Sequence, residues 1–157
     1  MGLSIRKITP DDLPCLAGLC AEHADYERLN YQDDGQIERW RTALFVEPAR
    51  LFIWVVVDDT QRLRGYMSAT VDYSTWSAAP FVYMDCLYLQ PGLRGQGVGR
   101  RLLDTLTAFA EQHRCLEIQW QTPPDNQLGI GFYQHMGAGI LPKSRFSLRK
   151  GQGSWKA

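Results

Sequence analysis

The segment Leu89-Gln90-Pro91-Gly92-Leu93-Arg94-Gly95-Gln96-Gly97-Val98-Gly99-Arg100-Arg101-Leu102-Leu103 joins a run with strand character to one with the character of an amphipathic helix. Three alternating glycines, Gly95, Gly97 and Gly99, lie at the junction, with Arg94 before them and Arg100 and Arg101 after. A helix that starts this way presents bare backbone N–H groups and the positive end of its dipole, which is how proteins hold phosphates. Glycine suits such a turn because a side chain would keep a ligand off the backbone and restrict φ and ψ. The segment therefore predicts a strand, loop and helix that together bind a phosphorylated cofactor.

Spacing narrows the kind of phosphate. A P-loop requires Lys and Ser/Thr after its second glycine; counted from Gly92, those places hold Val98 and Gly99. A dinucleotide fingerprint requires G-x-G-x-x-G; its last position falls on Arg100 from Gly95, and on Leu102 from Gly97. Both readings fail. What the chain does contain is Arg94-x-x-Gly97-x-Gly99 followed by Leu102-Leu103. A second element, Asn126-Gln127-Leu128-Gly129-Ile130-Gly131-Phe132-Tyr133-Gln134-His135-Met136-Gly137-Ala138, opens on a good N-cap and closes on a glycine stop.

The two motifs together resemble the GNAT superfamily of N-acetyltransferases, the first its acetyl-CoA pyrophosphate loop, the second its distal cofactor helix. Two positions depart from the family pattern: Gly129, where alanine is usual, and Ala138, where an aromatic is common. A glycine inside a helix costs on the order of 1 kcal/mol relative to alanine. The resemblance implies acetyl-CoA as co-substrate. It would be held by Arg94, Gly95, Gln96, Gly97, Val98, Gly99, Arg100 and Asn126, and by the backbone of Leu87, Tyr88 and Leu89 along its pantetheine arm.

The 157 residues suit one domain with a proper core, and residues 1–150 are expected to form it, with 151–157 as a loose tail. Seventeen basic residues balance seventeen acidic ones, so no general field favours nucleic acid or an anionic membrane. No apolar run approaches a membrane span or a signal-peptide core. Cys15, Cys20, Cys86 and Cys115 show no CxxC pair and no ligand spacing with a histidine; they predict reduced, mostly buried thiols in a cytoplasmic protein and no metal.

Periodicity orders the elements. Leu3–Ile8 reads as a strand, and Thr9-Pro10-Asp11-Asp12 as the start of a helix that buries Leu13, Leu16, Leu19 and Cys20. A helix over 34–45 turns Ile37, Trp40, Ala43 and Leu44 inward. Residues 51–57 and 63–71 form a hairpin, 81–89 a strand, and the helix after the loop carries Val98, Leu102, Leu106, Phe109 and Ala110 on one face. A strand over 115–120, a helix over 126–136 and a last strand over 145–149 complete the chain. This order is that of the GNAT fold, an α/β (α+β) protein whose mixed, mostly antiparallel twisted sheet has helices on both faces.

The implied reaction is direct attack of an amine on the thioester of acetyl-CoA. A lysine-like amine has a pKa near 10.4, so neutralising it at pH ~7.4 costs about 4 kcal/mol, and the departing thiolate needs a proton. Tyr133 stands where the superfamily often places the general acid. Asp85, in the strand before the loop, is the candidate base, and Glu27, after the first helix, is its alternative. Cys86 is adjacent, but no histidine lies at an interpretable spacing to activate it.

The acceptor is read from three segments. Tyr73-Ser74-Thr75-Trp76, Tyr83-Met84-Asp85 and His23-Ala24-Asp25-Tyr26-Glu27 resemble the spermidine/spermine N-acetyltransferase-like branch. Trp76 would stack on the amine, Asp85 and Glu27 would neutralise it, and Asp25, Asp33 and Asp34 would line the rim. Cys86 and Ser74 stand where that branch carries acids, which favours a smaller amine with one or two charges. A diamine, a polyamine or a lysine-like amino acid is expected, with the chain a homodimer as the branch implies. Alternatives are a peptide or protein N-acetyltransferase, an antibiotic-modifying one, and a non-catalytic acyl-CoA sensor; the last has no use for Tyr133.

Overall fold

Phe52-Ile53-Trp54-Val55-Val56-Val57 is apolar at every position, the signature of a strand covered on both faces. In the structure, a computed structural model that describes residues 2–157, this run lies inside a five-stranded sheet. The strands are β1 (Leu3–Lys7), β2 (Phe52–Asp58), β3 (Leu63–Ser74), β4 (Ala79–Leu89) and β5 (Ile118–Trp120), in that spatial order. β1 to β4 pair antiparallel and β5 joins β4 in parallel. The helices of this unit are α1 (Leu13–Tyr26), α2 (Gln36–Phe45) and α3 (Val98–Gln112). The sheet unit, Met1–Pro123, is followed by a second unit, Pro124–Ala157, that holds α4 (Gln127–His135).

Alternate side chains of a strand leave on opposite faces. Ile53, Val55 and Val57 pack with Leu13, Leu16 and Leu19 of α1 and Leu44 of α2. On the other face the rings of Phe52 and Trp54 lie 4.7 and 5.0 Å from that of Phe109 on α3. The expected mixed sheet with helices on both faces is therefore the observed one. The β2–β3 turn is tied by Asp58, whose carboxylate accepts from the Thr60 hydroxyl at 2.7 Å, the amides of Thr60 and Arg62, and Arg64. The Thr60 hydroxyl first, then these amides and Arg64, lower its pKa from 3.8 to about 2. The stability Asp58 contributes is thus complete above the unfolded value of 3.8 and is lost as pH falls toward about 2. Asp58→Ala is expected to melt at a lower temperature at neutral pH, with the gap to wild type closing across that window; thermal melts against pH check it.

Several boundaries differ from expectation. β3 runs to Ser74 and β4 starts at Ala79 because the two continue as a ribbon past the ends of their outer neighbours. Residues 115–117 lie outside β5, since the Cys115 amide donates to Ala110 O at 2.9 Å and closes the end of α3. The second helix begins at Gln36, after Gly35 at φ 95. The strand expected over 145–149 is absent. Its alternation needs a paired neighbour, and Phe146 is instead 92% exposed. Cys15 is exposed, on the outer side of α1, and Cys20 and Cys86 are only half-buried; all four thiols are free.

Candidate functional site

After β4 the chain makes one tight turn at Pro91–Leu93, pinned by the buried Leu93, and enters α3. Gly95 and Gly97 sit at φ 78 and 76, the left-handed region that costs other residues about 1–2 kcal/mol. A Cβ at either would meet nothing within 4 Å, so backbone conformation, not crowding, demands glycine. Gln96 Nε2 donates to Gly92 O at 2.8 Å, and Arg101 donates to Leu3 O at 3.1 Å, fixing α3 to β1. The first α3 bond back to the cap runs from Arg101 N to Gly97 O. Gly97, the N-cap, offers no side-chain acceptor to the preceding amides of Val98, Gly99 and Arg100. N–H groups at the positive end of a helix are of the kind that can receive an anion.

The strand feeding this loop is bulged. Ser68 faces Cys86 while Ala69 faces Met84, so Asp85 is an extra residue in β4. Before the bulge Val82 N donates across to Glu117 O on the β5 side. After it, Gln90 N donates to Arg64 O on the β3 side, so by alternation Leu87 and Leu89 turn their amides to the β5 side. Among the described residues the β4–β5 pairing covers only Val82–Met84. β4 therefore opens an edge from the exposed Asp85 to the loop, and Arg94 covers its far end by donating to Leu89 O. An extended ligand with a phosphate at one end matches this line of groups, which is the shape of coenzyme A.

A cluster that joins separate sequence motifs, and gives His23 partners they do not show, lies beside this edge. His23 Nδ1 is 2.7 Å from the Tyr66 hydroxyl, its Nε2 is 3.5 Å from Glu27 Oε1, and its ring stacks on Tyr88 at 5.1 Å. Tyr88 donates to Glu22 and packs against Tyr26, over which the Arg94 guanidinium sits at 4.4 Å. Phosphate loop and Glu27 are thus joined through a stack of rings. Burial lowers the His23 pKa against the opposing charges of Glu27 and Asp85, and burial pushes the Cys86 thiol up to about 12. Only a β4 bulge and an α1 register could bring these groups together, and neither leaves a local signature.

The structure thus gathers Asp85, Leu87, Tyr88, Leu89, Glu27 and the residues 94–100 around one end of the sheet. Trp76, fully exposed, lies at the tip of the β3–β4 ribbon, six residues of strand separating Ala79 from Asp85 and hence roughly 20 Å. Asp34 at the rim is paired with Arg39. In the second unit Asn126 caps α4, accepting from Gly129 N at 3.2 Å. A Cβ on Gly129 would run into the Asn126 amide, which explains a glycine where the resemblance expects alanine. Tyr133 lies on the same helix with its ring 5.4 Å from that of Phe132.

Among the described residues no group of three His, Cys, Asp or Glu side chains is placed to hold a metal, and no helix is long and apolar enough to cross a membrane. The sequence model of the acetyltransferase (GNAT) family matches residues 16–138, which include the loop, the bulged strand and α4. The chain belongs to the GNAT acetyltransferase family. It is accordingly an acetyl-CoA-dependent N-acetyltransferase. It is 32% identical over 111 residues to phosphinothricin N-acetyltransferase of Alcaligenes faecalis, covering 69% of this chain and 55% of that one, about half its length. It is 24% identical over 140 residues to thialysine N-epsilon-acetyltransferase of Caenorhabditis elegans, covering 89% and 85%. The fold is similar to that of an aminoglycoside N-acetyltransferase solved with CoA, with TM-score 0.79, 19% identity and 95% of each chain covered.

Proposed function

We propose that this acetyltransferase acts on a primary amine of a small cationic molecule, a diamine, polyamine or lysine-like amino acid. The observation that carries the reading is the pair of carboxylates, Asp85 on the bulge and Glu27 on the His23 cluster, beside the open β4 edge. Both meet an arriving ammonium group, and neither is needed by an acyl-CoA sensor. The names of the phosphinothricin and thialysine relatives agree with a small charged acceptor. The wider setting implied by the resemblance, residues 1–150 working as one domain in a cytoplasmic homodimer, belongs to the same proposal.

Each residue then has a task. The loop amides and Arg94 hold phosphate, the Leu87–Leu89 backbone and Asn126 hold the rest of the cofactor, and a β4 N–H polarises the thioester oxygen. One such donor is typically worth ~3 kcal/mol in the transition state. Asp85 takes the proton that turns the bound ammonium into the attacking amine and passes it to solvent. Tyr133 gives its proton to the sulfur as the C–S bond breaks and is reprotonated by the proton that the nitrogen sheds as the N–C bond forms. Glu27 pairs with the ammonium, and Trp76, out at the ribbon tip, stands too far along the strand to touch a small acceptor there. Transfer is direct: a Cys86 thiol raised to about 12 supplies little thiolate at neutral pH. Thiol release from acetyl-CoA, measured with spermidine, L-lysine, a lysine-containing peptide and an aminoglycoside, tests the reading. Turnover is expected with spermidine or L-lysine. Release with the peptide or the aminoglycoside alone would replace this acceptor class, and release with none would favour a sensor.

A further inference from the structure

His23 is enclosed by groups from three elements. On α1, Glu27 faces Nε2 and Glu22 lies behind Tyr88. From β3, the Tyr66 hydroxyl reaches Nδ1. From β4, Tyr88 stacks on the ring and the Asp85 charge acts on it. Cys20 and Cys86 lie near Tyr66, whose own ionisation burial suppresses. Arg94 lies one ring further out, on Tyr26.

An ionised carboxylate only accepts hydrogen bonds. The Nε2 nitrogen therefore carries the proton toward Glu27, and the Tyr66 hydroxyl donates to the lone pair on Nδ1. One neutral tautomer satisfies both neighbours. Glu27 Oε1 then faces a neutral N–H from 3.5 Å on its inner side, while the side chain stays 31% exposed. Its full negative charge remains available outward.

We propose that His23 is a positioning residue that fixes Glu27 to receive the acceptor's ammonium group, so that the site selects amines arriving as cations. This rests on the amine-acetylating reading above. The consequence is a charge balance. With His23 neutral, the His23–Glu27 pair carries one negative charge toward the ammonium. With His23 protonated, the imidazolium neutralises Glu27 internally and the ammonium loses its partner. The amine itself stays protonated across the acid range, so the change belongs to the protein.

The test is the KM for spermidine and for L-lysine from pH 8 to about 5.5 in wild type, His23→Gln and Glu27→Gln, with the KM for acetyl-CoA and the melting temperature as controls on folding. Because burial holds the His23 pKa below its ordinary value, the wild-type amine KM is expected to rise only at the acid end of this range, by roughly threefold at pH 5.5. The glutamine of His23→Gln offers an N–H to Glu27 and an oxygen to Tyr66 but does not titrate. That variant is expected to keep the high-pH amine KM and lose most of the rise. Glu27→Gln is expected to have a high amine KM throughout and a flat profile. A His23→Gln profile that rises like the wild type, or a wild-type-like amine KM in Glu27→Gln, overturns the role of His23. Wild-type protein that acetylates neither amine overturns the amine reading as well, which separates the two failures.

Discussion

Tyr133→Phe is expected to lower kcat by roughly two to four orders of magnitude while leaving the KM for acetyl-CoA almost unchanged. The expulsion of a thiolate is the step that a positioned acid accelerates, and such an acid typically contributes a factor of ~100 to 10,000. A tyrosine is suited to it because its neutral hydroxyl still holds its proton at pH 7. Phenylalanine keeps the ring that packs near Phe132 and removes only the oxygen. The loss then appears in the chemical step and not in cofactor binding or melting temperature. Single-turnover rates distinguish chemistry from product release; a near-normal rate in the variant rules out the acid role.

Gly97→Val is expected to weaken acetyl-CoA binding by roughly a hundredfold, the loss of about two charge-assisted hydrogen bonds. Gly97 holds φ 76 as the cap of α3, a conformation that a β-branched residue essentially does not adopt. The variant must re-form the turn, and the amides of Val98, Gly99 and Arg100 then no longer converge. Beyond the adjacent residues nothing lies within 4 Å of the added Cβ, so global stability falls far less than affinity. Gly139→Ala, at another glycine with open space, is the matched control. Calorimetric titration with coenzyme A checks both; equal affinity in wild type and Gly97→Val would remove the loop from the site.

Much of this was legible in the chain because its signals are local. The alternating glycines between strand and helix, the Thr9 to Asp12 helix start and the continuous apolar run of β2 each need only neighbouring residues. The strand expected over 145–149 failed for the complementary reason: alternation describes a strand that has a partner, and a sequence does not show the partner. The bulge at Asp85 was hidden because Val82, Met84, Cys86 and Tyr88 keep one spacing straight through it. His23 opens the segment that ends on Glu27, but the sequence assigns it no role because its partners, Tyr66 and Tyr88, come from distant strands. Gly129 looked like a weakness of α4 until the Asn126 cap showed what occupies the space.

The central claim is direct acetyl transfer to a small cationic amine. Its most direct measurement follows the label from radiolabelled acetyl-CoA incubated with the protein and either spermidine or L-lysine, then separated by mass into protein and amine. The account predicts stoichiometric label on the amine and none retained on the protein. Label on Cys86, or unreacted acetyl-CoA with both amines, would contradict it.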